Sequence, residues 1–117
     1  MIVEEHKDTA RKFLQDAERE FAAGENLQAS EKMWGAAAHA IMAVAQDRGW
    51  PFGRHRLLID AARRIADEQD DEFLHAAVGV AQLFHSNFYH DHIEDADLEP
   101  NADVVRRFVD KMLALAE

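Results

Sequence analysis

The chain reads as an all-α protein, an antiparallel four-helix bundle with an additional short helix, five helices in total. Three observations predict this. Apolar residues recur at spacings of three and four in five successive segments. Nowhere does the apolar and polar alternation of a half-buried strand take over. The connections between the first segments are short, which forces neighbouring helices to run antiparallel. The 117 residues fit one domain, 1–117, with no internal repeat and no low-complexity stretch.

The first helix is expected from about Val3 to Ala23, with Ala10, Phe13, Leu14, Ala17 and Phe21 on its apolar side. Gly24 suits the left-handed position past its end, and Asn26 suits an N-cap for the next helix. The second helix, from about Leu27 to Asp47 or Arg48, is the one the others need. Leu27, Ser30, Trp34, Ala37, Ile41 and Val44 share one face, and Gly35 to Ala38 are small enough for close backbone approach. Gly49 stops it, and Trp50-Pro51-Phe52-Gly53 cannot continue a helix, so this aromatic turn is expected to fold back over the bundle end.

A third, shorter helix runs from about Arg54 to Asp67, with a break near Gln69-Asp70 inside an acidic run. The fourth, from about Asp71 to Ile93, carries Phe73, Leu74, Ala77, Val78, Val80, Ala81, Phe84 and Phe88 along a broad apolar arc. Glu94 to Glu99 reads as a polar loop. Asn101, after Pro100, is placed to cap a last helix from about Ala102 to Ala116, whose buried side is Val104, Val105, Phe108, Val109, Met112 and Leu115. Wide apolar arcs on five helices also leave surface for a homodimer.

Composition narrows the function. A net charge of -10 gives a field that repels polyanions, which disfavours non-specific DNA binding. A local basic group remains in Arg48, Arg54, His55, Arg56, Arg63 and Arg64, which is either a solvated face or a contact for an anion or partner. With no cysteine there is neither a disulfide framework nor a thiolate metal site, and the reducing cytoplasm is the simplest compartment. No apolar run is long enough to span a membrane, and the start is too acidic for a signal peptide.

The polar residues that invite chemistry cluster between Gln82 and His92. Continued helix, at about 100° per residue, turns His85, Tyr89 and His92 to the edge of the apolar arc, with Asn87 and Asp91 at its other edge and His90 pointing away. Either His85 and His92 are core-edge histidines bonded to neighbouring helices, or they belong to a functional polar cluster. Glu72 and His75 match the Glu-x-x-His spacing of di-iron bundles, but no second copy exists and both sit in a first turn. His85 and His92, two turns or about 10 Å apart, are too far apart for one ion, so no metal and no cofactor are expected. Lys32 has no phosphate-loop glycines near it, and no serine lies in a nucleophile elbow.

Three blocks together resemble the PaREP1-like group of small proteins, placed within the HEPN superfamily. They are Gln28 to Ala37, then Gly49-Trp50 with Gly53 to Leu58, then Leu83 to Tyr89. The resemblance implies a HEPN-like helical bundle, frequent dimerisation, and a superfamily that includes toxin ribonucleases, nucleotide or RNA binders and partners of nucleotidyltransferases. Its active nucleases carry an arginine, usually followed by a polar residue, and then, after four to six intervening positions, a histidine, on a late core helix at a dimer seam. Here His85 stands where the arginine is wanted, with His90 and His92 downstream, and Arg48 with His55 is interrupted by a glycine-proline turn. The leading expectation is therefore a regulatory module that binds a nucleotide, an RNA end or a protein, in a pocket lined by Lys32, His55, His85, Tyr89 and His92. In it, Asn87 fixes helix geometry, and Arg54 and Arg56 stand at the rim. The alternatives are a metal-independent toxin-type ribonuclease with His85 and His92 as catalytic candidates, and a structural interaction subunit. A homodimer, a nucleotide or single-stranded RNA, and a nucleotidyltransferase or antitoxin are the partners implied.

Overall fold

The computed structural model describes residues 1–116, so the last position of the expected 1–117 domain lies outside the described residues. Five helices are present among those residues: α1 (Val3–Ala22), α2 (Asn26–Arg48), α3 (His55–Gln69), α4 (Glu72–His90) and α5 (Asp95–Leu115), with no strand. α2 is central, packed against α1, α4, α5 and, more lightly, α3. Its alanines explain how one helix serves so many neighbours. Ala29, Ala36, Ala37, Ala40, Ala43 and Ala45 are all fully buried, so facing helices meet its backbone almost directly. Gly35 belongs to the same device, since a Cβ there would stand 2.8 Å from the Phe13 ring of α1.

Larger side chains fill the remaining core. Met33 and Ile41 of α2, Ile65 of α3, Leu74 and Phe84 of α4, and Val105, Phe108, Val109 and Met112 of α5 are buried to within 1 %. α3 packs mainly on α4. No helix is long and apolar enough to cross a membrane.

The first three helices end in the same way. Glu25 N–H bonds Glu20 O at 2.8 Å, Trp50 N–H bonds Ala45 O at 2.8 Å, and Asp71 N–H bonds Ala66 O at 3.0 Å. Each closure needs a left-handed residue, supplied by Gly24 (φ 78°), Gly49 (φ 73°) and Asp70 (φ 50°). The helix-breaking role of both glycines and the break near Asp70 are therefore as expected. Asn26 is a correction: it is the first residue of α2, with Glu25 at the cap position, and its carbonyl accepts from Ser30 Oγ at 2.7 Å.

Two further boundaries differ from expectation. α4 ends at His90 rather than Ile93, because Asp91 turns left-handed (φ 48°) and Asn87 Oδ1 accepts from both His92 N–H and Ile93 N–H at 2.7 Å. The last helix starts at Asp95, not Ala102, and the expected Glu94 to Glu99 loop is mostly its first turns. Leu98 is the reason: it is buried and, at spacings of four and three, continues the stripe Ala102, Val105, Val109, Met112. Asp95 and Asp97 favour the helix start electrostatically, and Pro100 sits on the exposed side. Asn101 caps nothing; its side chain donates to Asp97 O at 2.8 Å.

A ledge of aromatic and imidazole rings

Glu31 and Trp34 lie three residues apart on α2 and so share a face. α3 delivers His55 to that face as its first residue, directly after the Trp50-Pro51-Phe52-Gly53 turn, and α4 delivers His85. The three rings pack together. Trp34 is 5.2 Å from His55 and 5.1 Å from His85 between centroids, tilted by 34° and 32°. The two imidazoles are 5.9 Å apart and stacked within 21°. Tyr89, one turn beyond His85, meets it edge-on at 5.5 Å and also touches Phe88 at 5.0 Å.

Exposure grades outward across this cluster: Trp34 is buried, His85 is half-buried, and His55 and Tyr89 are exposed, Tyr89 by 65 %. Behind it, Glu31 Oε1 lies 2.9 Å from His85 Nδ1. A carboxylate accepts, so the contact suits the His85 tautomer that donates from Nδ1, in which the lone pair is on Nε2. Arg54 caps α3 and Arg56 follows His55, both exposed.

The structure thus brings together His55, His85 and Tyr89, with Arg54 and Arg56 adjacent in the chain, and adds Trp34 and Glu31. It does not bring Lys32 or His92 to the same place. Lys32 Nζ bonds Glu20 Oε1 at 2.9 Å on α1. His92 lies past the end of α4, exposed, with Nε2 3.1 Å from Ser86 Oγ. Asn87 is buried beneath, where its amide donates to Ser30 Oγ at 2.9 Å while its oxygen holds the turn after α4. His92 lines a cleft with Asp91 and the residues from Ile93 to Ala96, which His55, His85 and Tyr89 do not share, so the ring cluster is an open ledge rather than the expected common pocket. Among the described residues no three His, Asp or Glu side chains converge as metal ligands would. His75 of the Glu-x-x-His segment instead bonds Asp67 at 2.8 Å.

A second imidazole pair escaped the sequence reading. His6 of α1 and His39 of α2 meet at 3.0 Å between their Nδ1 atoms, with Phe52 edge-on to His6 at 5.8 Å and Phe13 beside His39 at 5.7 Å. Burial pushes both pKa values down, helped at His6 by the amino-terminal charge and at His39 by His6. The available signal was spacing, since His6, Ala10, Phe13 and Ala17 follow one apolar stripe. The aromatic turn does fold back as expected. Phe52 touches His6, and Trp50 lies under the Arg64 guanidinium at 4.0 Å with Arg48 at 5.7 Å.

Bundle and ledge define a small all-α protein that presents a solvent-facing ring cluster on a rigid, alanine-packed scaffold. The chain belongs to the archaeal PaREP1/PaREP8 family, whose profile matches residues 5–109. No curated protein and no solved structure matches it.

Proposed function

We propose that the ledge binds a nucleobase, from a free nucleotide or from the end of a single-stranded RNA, and that the protein is a regulatory binding module of the HEPN-like kind. The observation that carries this is the exposed Tyr89 ring, set edge-on to an imidazole that is itself stacked on His55 and packed, tilted, against Trp34. Exposed aromatic faces backed by packed rings are what bases stack on. Arg54 and Arg56 supply local positive charge for a phosphate, whereas the net charge of -10 opposes a long polyanion. The favoured ligand is therefore short. A cytoplasmic setting and a nucleotidyltransferase or antitoxin as protein partner fit the same proposal.

Calorimetry with the four ribonucleoside monophosphates and a short single-stranded RNA tests it. Binding is expected for at least one, and Tyr89→Ala should weaken it about tenfold or more, because stacking contributes on the order of 1–3 kcal/mol per base. Absence of binding by the wild type, or binding indifferent to Tyr89→Ala, would overturn the proposal.

One observation favours a second reading, a metal-independent ribonuclease. With Nδ1 held by Glu31, His85 Nε2 is the lone-pair nitrogen that a general base needs to take a proton from a ribose 2'-hydroxyl. His55, stacked on His85, is nearer to hand as a second imidazole than the exposed His92. RNA cleavage in chelator that disappears in His85→Ala would support this reading, and an inert wild type would dispose of it.

A further inference from the structure

The aromatic turn after α2 builds a second surface, one that the ledge does not use. Trp50 and Pro51 of the turn and Leu57, Asp60, Ala61 and Arg64 of α3 line a cleft of about 120 Å³. At about 100° per residue, Leu57, Ala61 and Arg64 lie more than about 100° round α3 from His55, so cleft and ledge occupy different sides of that helix. Four of the six lining residues are apolar. The space is well below the roughly 300–1,000 Å³ of a site for a whole small molecule, and it suits one inserted side chain.

Charge sets this cleft apart from the rest of the molecule. The chain has 23 Asp and Glu against 13 Lys and Arg, and most of the cations are tied to carboxylates, as at Lys7, Arg19, Arg48, Arg106 and Lys111. Among the described residues, Arg54, Arg56, Arg63, Arg64 and Arg107 take part in no ion pair, and the first four lie in one short stretch of chain. Arg56, Arg63 and Arg64 are exposed and fall within about 100° of one another on α3. Asp60 shares that side, yet Arg64 lies over the Trp50 ring, 4.0 Å from its centroid, and forms no ion pair with it. In a molecule with such an excess of acid, unpaired arginines gathered beside an apolar cleft call for an anion from outside.

We propose that this cleft docks a short acidic segment of another protein, with one apolar side chain seated between Trp50, Pro51, Leu57 and Ala61 and its flanking carboxylates on Arg63 and Arg64. The indole decides between a peptide and a nucleic acid. Both Arg64 and Arg48 lie over it, at 4.0 and 5.7 Å, so it offers no bare ring of the kind on which bases stack. A guanidinium stacked on a ring still has its N–H donors in plane, free for a carboxylate. Clustered arginines beside an apolar slot fit acidic peptide motifs in the same manner. Neither Arg63 nor Arg64 belongs to the ledge, so the proposal stands apart from base binding there.

Panning a random twelve-residue peptide library on the wild-type protein tests it. A protein of net charge -10 attracts basic peptides by its overall field. The cleft instead predicts an enriched motif with leucine, isoleucine or another apolar residue among aspartates and glutamates. In fluorescence anisotropy, an enriched peptide should bind more weakly as salt rises and lose about tenfold or more when Arg63→Glu and Arg64→Glu are combined. Arg63→Glu alone should cost about threefold, and serves if the double variant loses its helical circular dichroism. Arg107→Glu makes the same charge change on α5 and should leave the affinity within about twofold. No enrichment, a motif without acidic residues, equal losses from Arg63→Glu and Arg107→Glu, or a peptide displaced by equimolar single-stranded RNA would each overturn the proposal.

Discussion

His6 and His39 show how a pair of side chains sets a pH limit. Their Nδ1 atoms, 3.0 Å apart, can share one proton, one ring donating and the other accepting. A second proton would set two donors against each other. Burial, the largest cause, keeps both pKa values below the ordinary 6.5, and Glu5 and the Gln46 amide only partly offset it at His6. The sign follows. In the unfolded chain both histidines take up protons as pH falls through 6.5, while the folded protein resists. Stability is therefore full above that pH and falls progressively below it. Urea denaturation at about pH 8 and about pH 5 should show this loss, and His6→Leu with His39→Leu should flatten the slope. An unchanged slope would assign the acid sensitivity to other groups. Asp71 works in the opposite direction. Lys111 Nζ, 2.6 Å from its carboxylate, and Leu74 N–H hold its pKa down, so this link between α4 and α5 persists until more acidic pH.

The helix ends show where local sequence suffices and where packing decides. Gly24, Gly49 and Asp70 close their helices through backbone conformation alone, and all three ends were legible. The end of α4 was not. Continued helix would place His92 on the same face as His85, but Asn87 reaches past the helix end to collect two amides while donating to Ser30, fifty-seven positions earlier in the chain. A contact of that sequence separation leaves no periodic trace. Pro100 and the acidic run likewise masked the first turns of α5, which the buried Leu98 holds in place. The Asn87 network has a measurable cost of removal. Asn87→Leu leaves Ser30 Oγ and two amides without their partner, and the expected loss is about 2–3 kcal/mol in chemical denaturation. Faster hydrogen exchange at the His92 and Ile93 amides should accompany it. A loss below about 0.5 kcal/mol would mean that the turn is held by something else.

In the whole molecule, these parts have separate places. The alanine-rich α2 draws its neighbours close, and that closeness brings His55 and His85, thirty residues apart in sequence, against one indole. Of the expected site, the residue types and the Tyr89–His85 neighbourhood were legible from helical spacing. The Glu31 partnership and the departure of Lys32 to Glu20 were not, because both depend on which helix lies on which side of α2. α4 then has one side in the core and another forming the ledge. The central claim is that the ledge is a base-stacking surface. It is tested most directly by following the ring proton resonances of His55, His85 and Tyr89 while a short single-stranded RNA is added. Stacking predicts ring-current shifts that saturate together at these three residues and leave His6, His39 and His75 unmoved. Shifts confined to other residues, or none at saturating RNA, would contradict it.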